Sequence, residues 1–147
     1  MKGITLLALL ALPFAAHATP ECPAKPDVAS LFDRWNAALS TGEPAQVAAT
    51  YGADAVLLPT LSNRVRLTHD ERLDYFQHFL ANKPSGRIVS RTSQAACDSA
   101  LDAGIYEFTF ATTGETVQAR YSFNYHWDGQ QWLIASHHSS LMPEPAH

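Results

Sequence analysis

The segment from Ala119 to Pro143, ARYSFNYHWDGQQWLIASHHSSLMP, constrains the fold of this 147-residue chain more than any other. Asp128-Gly129 at its centre supports a tight hairpin, because both residues tolerate positive φ. In the strand before it, Tyr121, Phe123, Tyr125 and Trp127 fall on one face, with Arg120, Ser122, Asn124 and His126 on the other. Alternation with period two predicts an antiparallel sheet whose aromatic face lies on a core and whose polar face lies outside.

Upstream the period changes. Val28, Leu31, Phe32, Trp35 and Leu39 recur at helical spacing, with Asp27 placed to cap the start and Gly42 following the end. A second, shorter helix is expected from Pro44 to Thr50, a short strand from Ala55 to Pro59, and a turn with a short strand over Leu61–Leu67, Arg64 and Arg66 sharing a face. Thr68-His69-Asp70-Glu71 reads as a capping box that opens a third helix through Leu80, with Leu73, Phe76 and Leu80 inward. Pro84 forbids its continuation. Strands are expected at about Arg87–Ala95 and Ala100–Ala111, ahead of the hairpin. Helices early and strands late on one core predict an α+β domain.

The first eighteen residues bear on location. Lys2, the apolar run Ile4–Ala16 and the small residues of Ala16-His17-Ala18 read as a signal peptide cleaved after Ala18. The competing readings are an uncleaved anchor and a buried helix. Residues 19–26, with Pro20, Pro23 and Pro26, form an extended leader; residues 27–143 form the domain and 144–147 a tail. The expected product is exported, periplasmic or secreted. Losing Lys2 leaves 9 basic against 14 acidic residues, and no basic stripe, so neither nucleic acid nor membrane is an expected partner. Cys22 and Cys97, an even count in an exported chain, suggest one disulfide; two free thiols or a soft metal pair are the alternatives, and two Cys alone do not complete a zinc site.

Four segments carry a family resemblance: Phe32-x-x-Trp35-Asn36-Ala37-Ala38-Leu39, Asp54-Ala55-Val56-Leu57-Leu58-Pro59, Tyr75-Phe76-x-x-Phe79-Leu80 and Trp132-Leu133-Ile134-x-x-His137-His138-Ser139-Ser140. In this order the chain resembles the NTF2-like superfamily of SnoaL-like and ketosteroid-isomerase-like cones. Within it, the likeness is greatest to the calcium/calmodulin-dependent protein kinase II association-domain group. The resemblance covers roughly residues 28–143. It implies N-terminal helices on a strongly curved, mostly antiparallel sheet, a pocket between them, and a homodimer or larger assembly through the sheet's outer face. Ser122, Asn124 and His126 are expected at that interface. No kinase domain or calmodulin-binding segment is read in the chain.

The fold hosts many functions, so the site residues must decide. Neighbours on a strand point to opposite faces, so His137 and His138 cannot share one pocket or one ion. Strict alternation puts His138 with Trp132, Ile134, Ser136 and Ser140, and His137 with Leu133 and Ala135. The family's ending makes His138 the pocket candidate, against a structural histidine. No metal-ligand spacing is present. The resemblance also implies arginines lining the pocket, where a guanidinium would hold a carboxylate. Of Arg64, Arg66, Arg72, Arg87, Arg91 and Arg120, Arg120 is favoured, yet it shares the polar face; either a bulge re-aims it or it serves the outer face. Glu107 stands where the family places a pocket arginine. Tyr51, Tyr106 and Tyr121 complete the ligand-binding candidates, and Asp54 is further acid–base material.

No nucleophile elbow, phosphate loop or dinucleotide fingerprint is present, and no cofactor is expected. The reading is an exported homo-oligomer that binds a small anionic or aromatic molecule in its cone, with no catalysis assigned. A cofactor-free isomerase, lyase or hydrolase using His138 and a tyrosine is one alternative, and a pure oligomerisation module of the association-domain type is another.

Overall fold

The structure, a computed structural model, describes residues 25–144. The expected signal peptide and Cys22 lie outside the described residues. The elements are α1 (Val28–Ser40), α2 (Pro44–Ala48), β1 (Tyr51–Leu58), α3 (His69–Leu80), β2 (Pro84–Ala95), β3 (Ser99–Phe110), β4 (Thr116–Trp127) and β5 (Trp132–Leu141). They form a mixed α+β domain with one curved sheet of order β1-β5-β4-β3-β2, antiparallel except where β1 runs parallel to β5. Among the described residues no helix is long and apolar enough to cross a membrane.

Local sequence accounts for the helix starts. The Asp27 carboxylate accepts the Ala29 amide hydrogen at the head of α1, and Thr68 and Glu71 form a reciprocal capping box on α3. Val28, Leu31, Phe32, Trp35 and Leu39 are all buried. They meet the inward row Ala119, Tyr121, Phe123 and Tyr125 of β4 in a single aromatic core. Fully burying one such side chain is worth about 1.5–3 kcal/mol.

The β4–β5 hairpin is present but its turn differs from expectation. The loop is Asp128–Gln131, closed by the Trp127–Trp132 pair, and Gly129 takes positive φ whereas Asp128 does not. Asp128 instead accepts the amide hydrogens of Gln130 and Gln131 on its carboxylate. Those bonds hold its pKa below the usual aspartate value.

Three irregularities bend the sheet. In β2 Ile88 pairs with Tyr106 and Ser90 with Ile105, so Val89 is an extra residue. In β5 Ser136 pairs with Asn124 and Ile134 with Tyr125, so Ala135 is extra. Each such bulge shifts the parity of everything beyond it. Opposite the first, a Cβ on Gly104 would stand 2.0 Å from the carbonyl oxygen of Ser90, so only glycine fits.

The third lies in β1, between the Tyr51–Ile134 and Val56–Ser136 pairs. There the carbonyls of Gly52, Ala53 and Ala55 leave the ladder and accept from the guanidinium of Arg72, which also bonds Leu67. Arg72 is therefore fully buried and ties α3 to β1, not a surface charge.

Candidate functional site

A cavity of about 320 Å³ opens between α3, the loop after β1 and the inner face of the sheet. Tyr75, Phe76 and Phe79 of α3 line it opposite Tyr106, Phe108 and Phe110 of β3. Trp35 of α1, and His137 and Ser139 of β5, complete its inner wall, while Thr60, Leu61 and Leu141 stand at its lip. The rings interlock edge to face: Phe79 meets Phe108 at 5.6 Å and Phe110 at 6.0 Å, near 90° in both cases. Among the described residues the wall carries no lysine or arginine, and Glu115 is its one carboxylate.

The polar groups of the wall are joined in one directed chain. The indole N–H of Trp35 can only donate, and it donates to the Tyr51 oxygen at 3.1 Å. The Tyr51 hydrogen then goes to Nδ1 of His137, 2.9 Å away. An imidazole accepting at Nδ1 carries its own hydrogen on Nε2, which faces the Tyr106 oxygen at 3.4 Å. Tyr106 donates onward to Ser139 at 2.5 Å, and Ser139 bonds Thr60. The Thr60–Ser139 pair, in which either hydroxyl can donate, ends the chain at the cavity wall.

Burial keeps this chain uncharged. Desolvation, with a smaller contribution from His138, lowers the His137 pKa to about 3. Burial pushes the phenols of Tyr51 and Tyr106 well up, and that of Tyr75 up to about 12. Near neutral pH His137 is thus neither an imidazolium acid nor an effective base.

The bulges decide which predicted residues arrive here. Beyond Ala135, parity reverses, so His137 joins Trp132 and Ile134 on the inner face and His138 turns outward beside Ser122. The expectation that His138 faces the cavity is corrected accordingly: it is exposed, and His137 takes the place. Arg120 also stays outside, where its guanidinium bonds Ser140. The bulge that re-aims an arginine lies in β2, and the residue it turns inward is Arg91.

Arg91 is neutralised on arrival. Its Nε contacts both carboxylate oxygens of the fully buried Asp102, at 3.0 and 3.2 Å, and the Tyr121 hydroxyl donates to Asp102 at 2.9 Å. Burial and that carboxylate push the Tyr121 pKa up to about 12. Tyr121 stacks on Tyr106 at 4.8 Å but serves the ion pair and does not line the cavity. Tyr106 lines it, and Tyr51 supports it through His137.

The remaining candidates lie elsewhere. Asp54 is exposed on β1. Glu107 faces outward, bonded to Arg87 and Gln118, so it does not occupy a pocket position. Arg64 and Arg66 pair with Glu71 and Asp74, fastening the loop after β1 to α3. Sequence reasoning missed Thr60, Ser139 and Glu115, for which no local spacing is a signal. Among the described residues no group of three or more His, Cys, Asp or Glu could hold a metal ion.

The model of the calcium/calmodulin dependent protein kinase II association domain family matches residues 24–143. The chain belongs to this family. A Xanthomonas campestris protein named for the same association domain is 51% identical, with TM-score 0.77 over 81% of this chain and 88% of that one. An NTF2-like protein of unknown function from Pseudomonas putida KT2440 shares the fold at 18% identity, TM-score 0.68, over 78% and 83%. A Thiobacillus denitrificans protein named for the association domain shares it at 13% identity, TM-score 0.63, over 82% and 98%. Among curated proteins nothing matches the chain. For this association-domain chain the NTF2-like cone, with its cavity between α3 and the sheet, is therefore the setting in which function has to be sought.

Proposed function

We propose that this association-domain protein is an exported homo-oligomer that holds a small, flat, mostly apolar molecule in its cone, and we assign it no reaction. The observation that carries this reading is the cavity of about 320 Å³, walled by aromatic rings and bearing the paired hydroxyls of Thr60 and Ser139. Such a wall favours a ring system bearing one hydrogen-bond acceptor. It disfavours the anionic ligand expected from arginines, since the inward guanidinium of Arg91 is already held by Asp102. The neutral His137 argues against an acid–base enzyme. Open volume argues against a module whose cone is filled by its own side chains.

Assembly would use the outer sheet face, where Ser122 and Asn124 of β4 lie beside Ala103 and Leu101 of β3. Uncharged residues of this kind suit a self-complementary two-fold contact. Export would follow from the apolar N-terminal run and bring Cys22 and Cys97 into an oxidising compartment.

Native mass spectrometry of the exported protein tests the reading directly. The expected spectrum is a dimer or larger species that releases a small molecule on denaturation. Val117→Trp, which fills the cavity from its wall, should abolish that release. A ligand retained equally by Val117→Trp would overturn the assignment of the site.

A further inference from the structure

The cavity has a charge asymmetry that its apolar character does not require. Glu115 lines the mouth from the β3–β4 turn, and among the described residues its carboxylate has no ion-pair partner. The turn is held by the Phe110 amide on the Glu115 carbonyl at 2.9 Å and the Glu115 amide on Thr113 at 3.2 Å. These bonds hold the turn that carries Glu115 against the end of β3 at Phe110, and both residues line the cavity. Phe79 meets Phe110 edge to face, and Tyr75 stacks on Phe79 at 5.8 Å. No cation on the wall answers the acid, and the chain as a whole is acidic, with formal net charge −4.

We infer that the molecule held in the cone is an organic cation, its protonated or quaternary amine at the mouth between Glu115 and the ring of Phe110, its flat body on the inner rings. This rests on the cavity reading above and adds the charge class of the ligand. The physical reason is additive. An ammonium group within about 6 Å of an aromatic face is attracted by the ring quadrupole, which raises affinity roughly two- to five-fold at an exposed mouth. A carboxylate beside it adds a Coulombic attraction that salt screens in part. A carboxylate ligand gains neither and is repelled by Glu115.

Three compounds of one shape separate the contributions: phenethyltrimethylammonium, its neutral carbon isostere (3,3-dimethylbutyl)benzene, and 3-phenylpropionate. Binding is followed through Trp35, whose indole lines the cavity, at low and at physiological salt. The cation should bind about five-fold or more tighter than the neutral isostere, with the carboxylate weakest. Glu115→Gln should cut that preference about three-fold, Glu115→Lys should turn it toward the carboxylate, and Phe110→Leu should lower it without touching Glu115. Glu115 is exposed on a turn, so its variants retain the fold. Equal affinity for cation and isostere, or a preference unchanged by Glu115→Gln, overturns the inference and leaves the cavity reading intact. Failure of all three compounds to bind overturns the inference, and the cavity reading falls with it only if the exported protein also releases no small molecule on denaturation.

Discussion

The imidazole of His137 lies flat against its cross-strand neighbour Phe123, ring centroids 3.9 Å apart and planes 22° from parallel. Phe123 is wholly buried, so the stack fixes the imidazole plane and aims its two nitrogens at Tyr51 and Tyr106. The arrangement has a consequence for acid stability. Unfolded, the imidazole has a pKa of 6.5; folded, it is lowered to about 3. Between those values the unfolded chain binds a proton that the folded one does not. The contribution of His137 to stability is therefore intact well above pH 6.5 and is lost at up to about 1.4 kcal/mol per pH unit between pH 6.5 and about 3. Glu71, held at about 2 against 4.5, adds its own loss only at lower pH. Urea midpoints between pH 6.5 and 5 should fall in the wild type and stay flatter in His137→Gln; parallel slopes would contradict the burial argument.

Gly104→Ala should destabilise the domain by about 3 kcal/mol or prevent folding, since its Cβ would meet the Ser90 carbonyl at 2.0 Å. Gly52→Ala is the control, its Cβ reaching the Ile134 carbonyl at an ordinary 3.6 Å. Similar thermal shifts for the two variants would mean that the β2 bulge yields easily.

Arg72→Met should cost about 2–4 kcal/mol by leaving the carbonyls of Gly52, Ala53 and Ala55 without their donor. Arg72→Lys, with one ammonium in place of a fork, should not restore the loss. Limited proteolysis is expected to cut within residues 52–55 in both variants, and resistance there would assign Arg72 a lesser part.

Protein exported to an oxidising compartment should carry a Cys22–Cys97 bridge, tethering the leader to the turn between β2 and β3. Reduction is expected to lower stability by about 2 kcal/mol, the tether being peripheral. Non-reducing peptide mapping decides the matter: two alkylatable thiols would rule the bridge out.

Asn124 lies exposed on the outer face, bonded to Ser136. Asn124→Asp on both copies of a two-fold interface would bring like charges together and raise the dimer dissociation constant about five-fold or more. Sedimentation at micromolar concentration checks this, and a monomeric wild type or an unmoved equilibrium would remove the sheet face from consideration.

The sequence by itself determined whatever depends on neighbours along the chain. The α1 stripe, the Thr68–Glu71 box, the aromatic row of β4 and the order of helices before strands are local patterns, set by periods of 3.6 and 2 and by adjacent capping groups. Sidedness at the site was decided elsewhere. Whether His137 or His138 turns inward depends on the extra residue Ala135, and whether Arg91 turns inward depends on Val89. Those bulges are defined only by which residue of a partner strand each one opposes. Likewise Arg72 is buried because the irregular stretch of β1 frees carbonyls that only a fully folded α3 can answer. A one-residue slip inverts every side chain beyond it, and tertiary pairing alone places the slip.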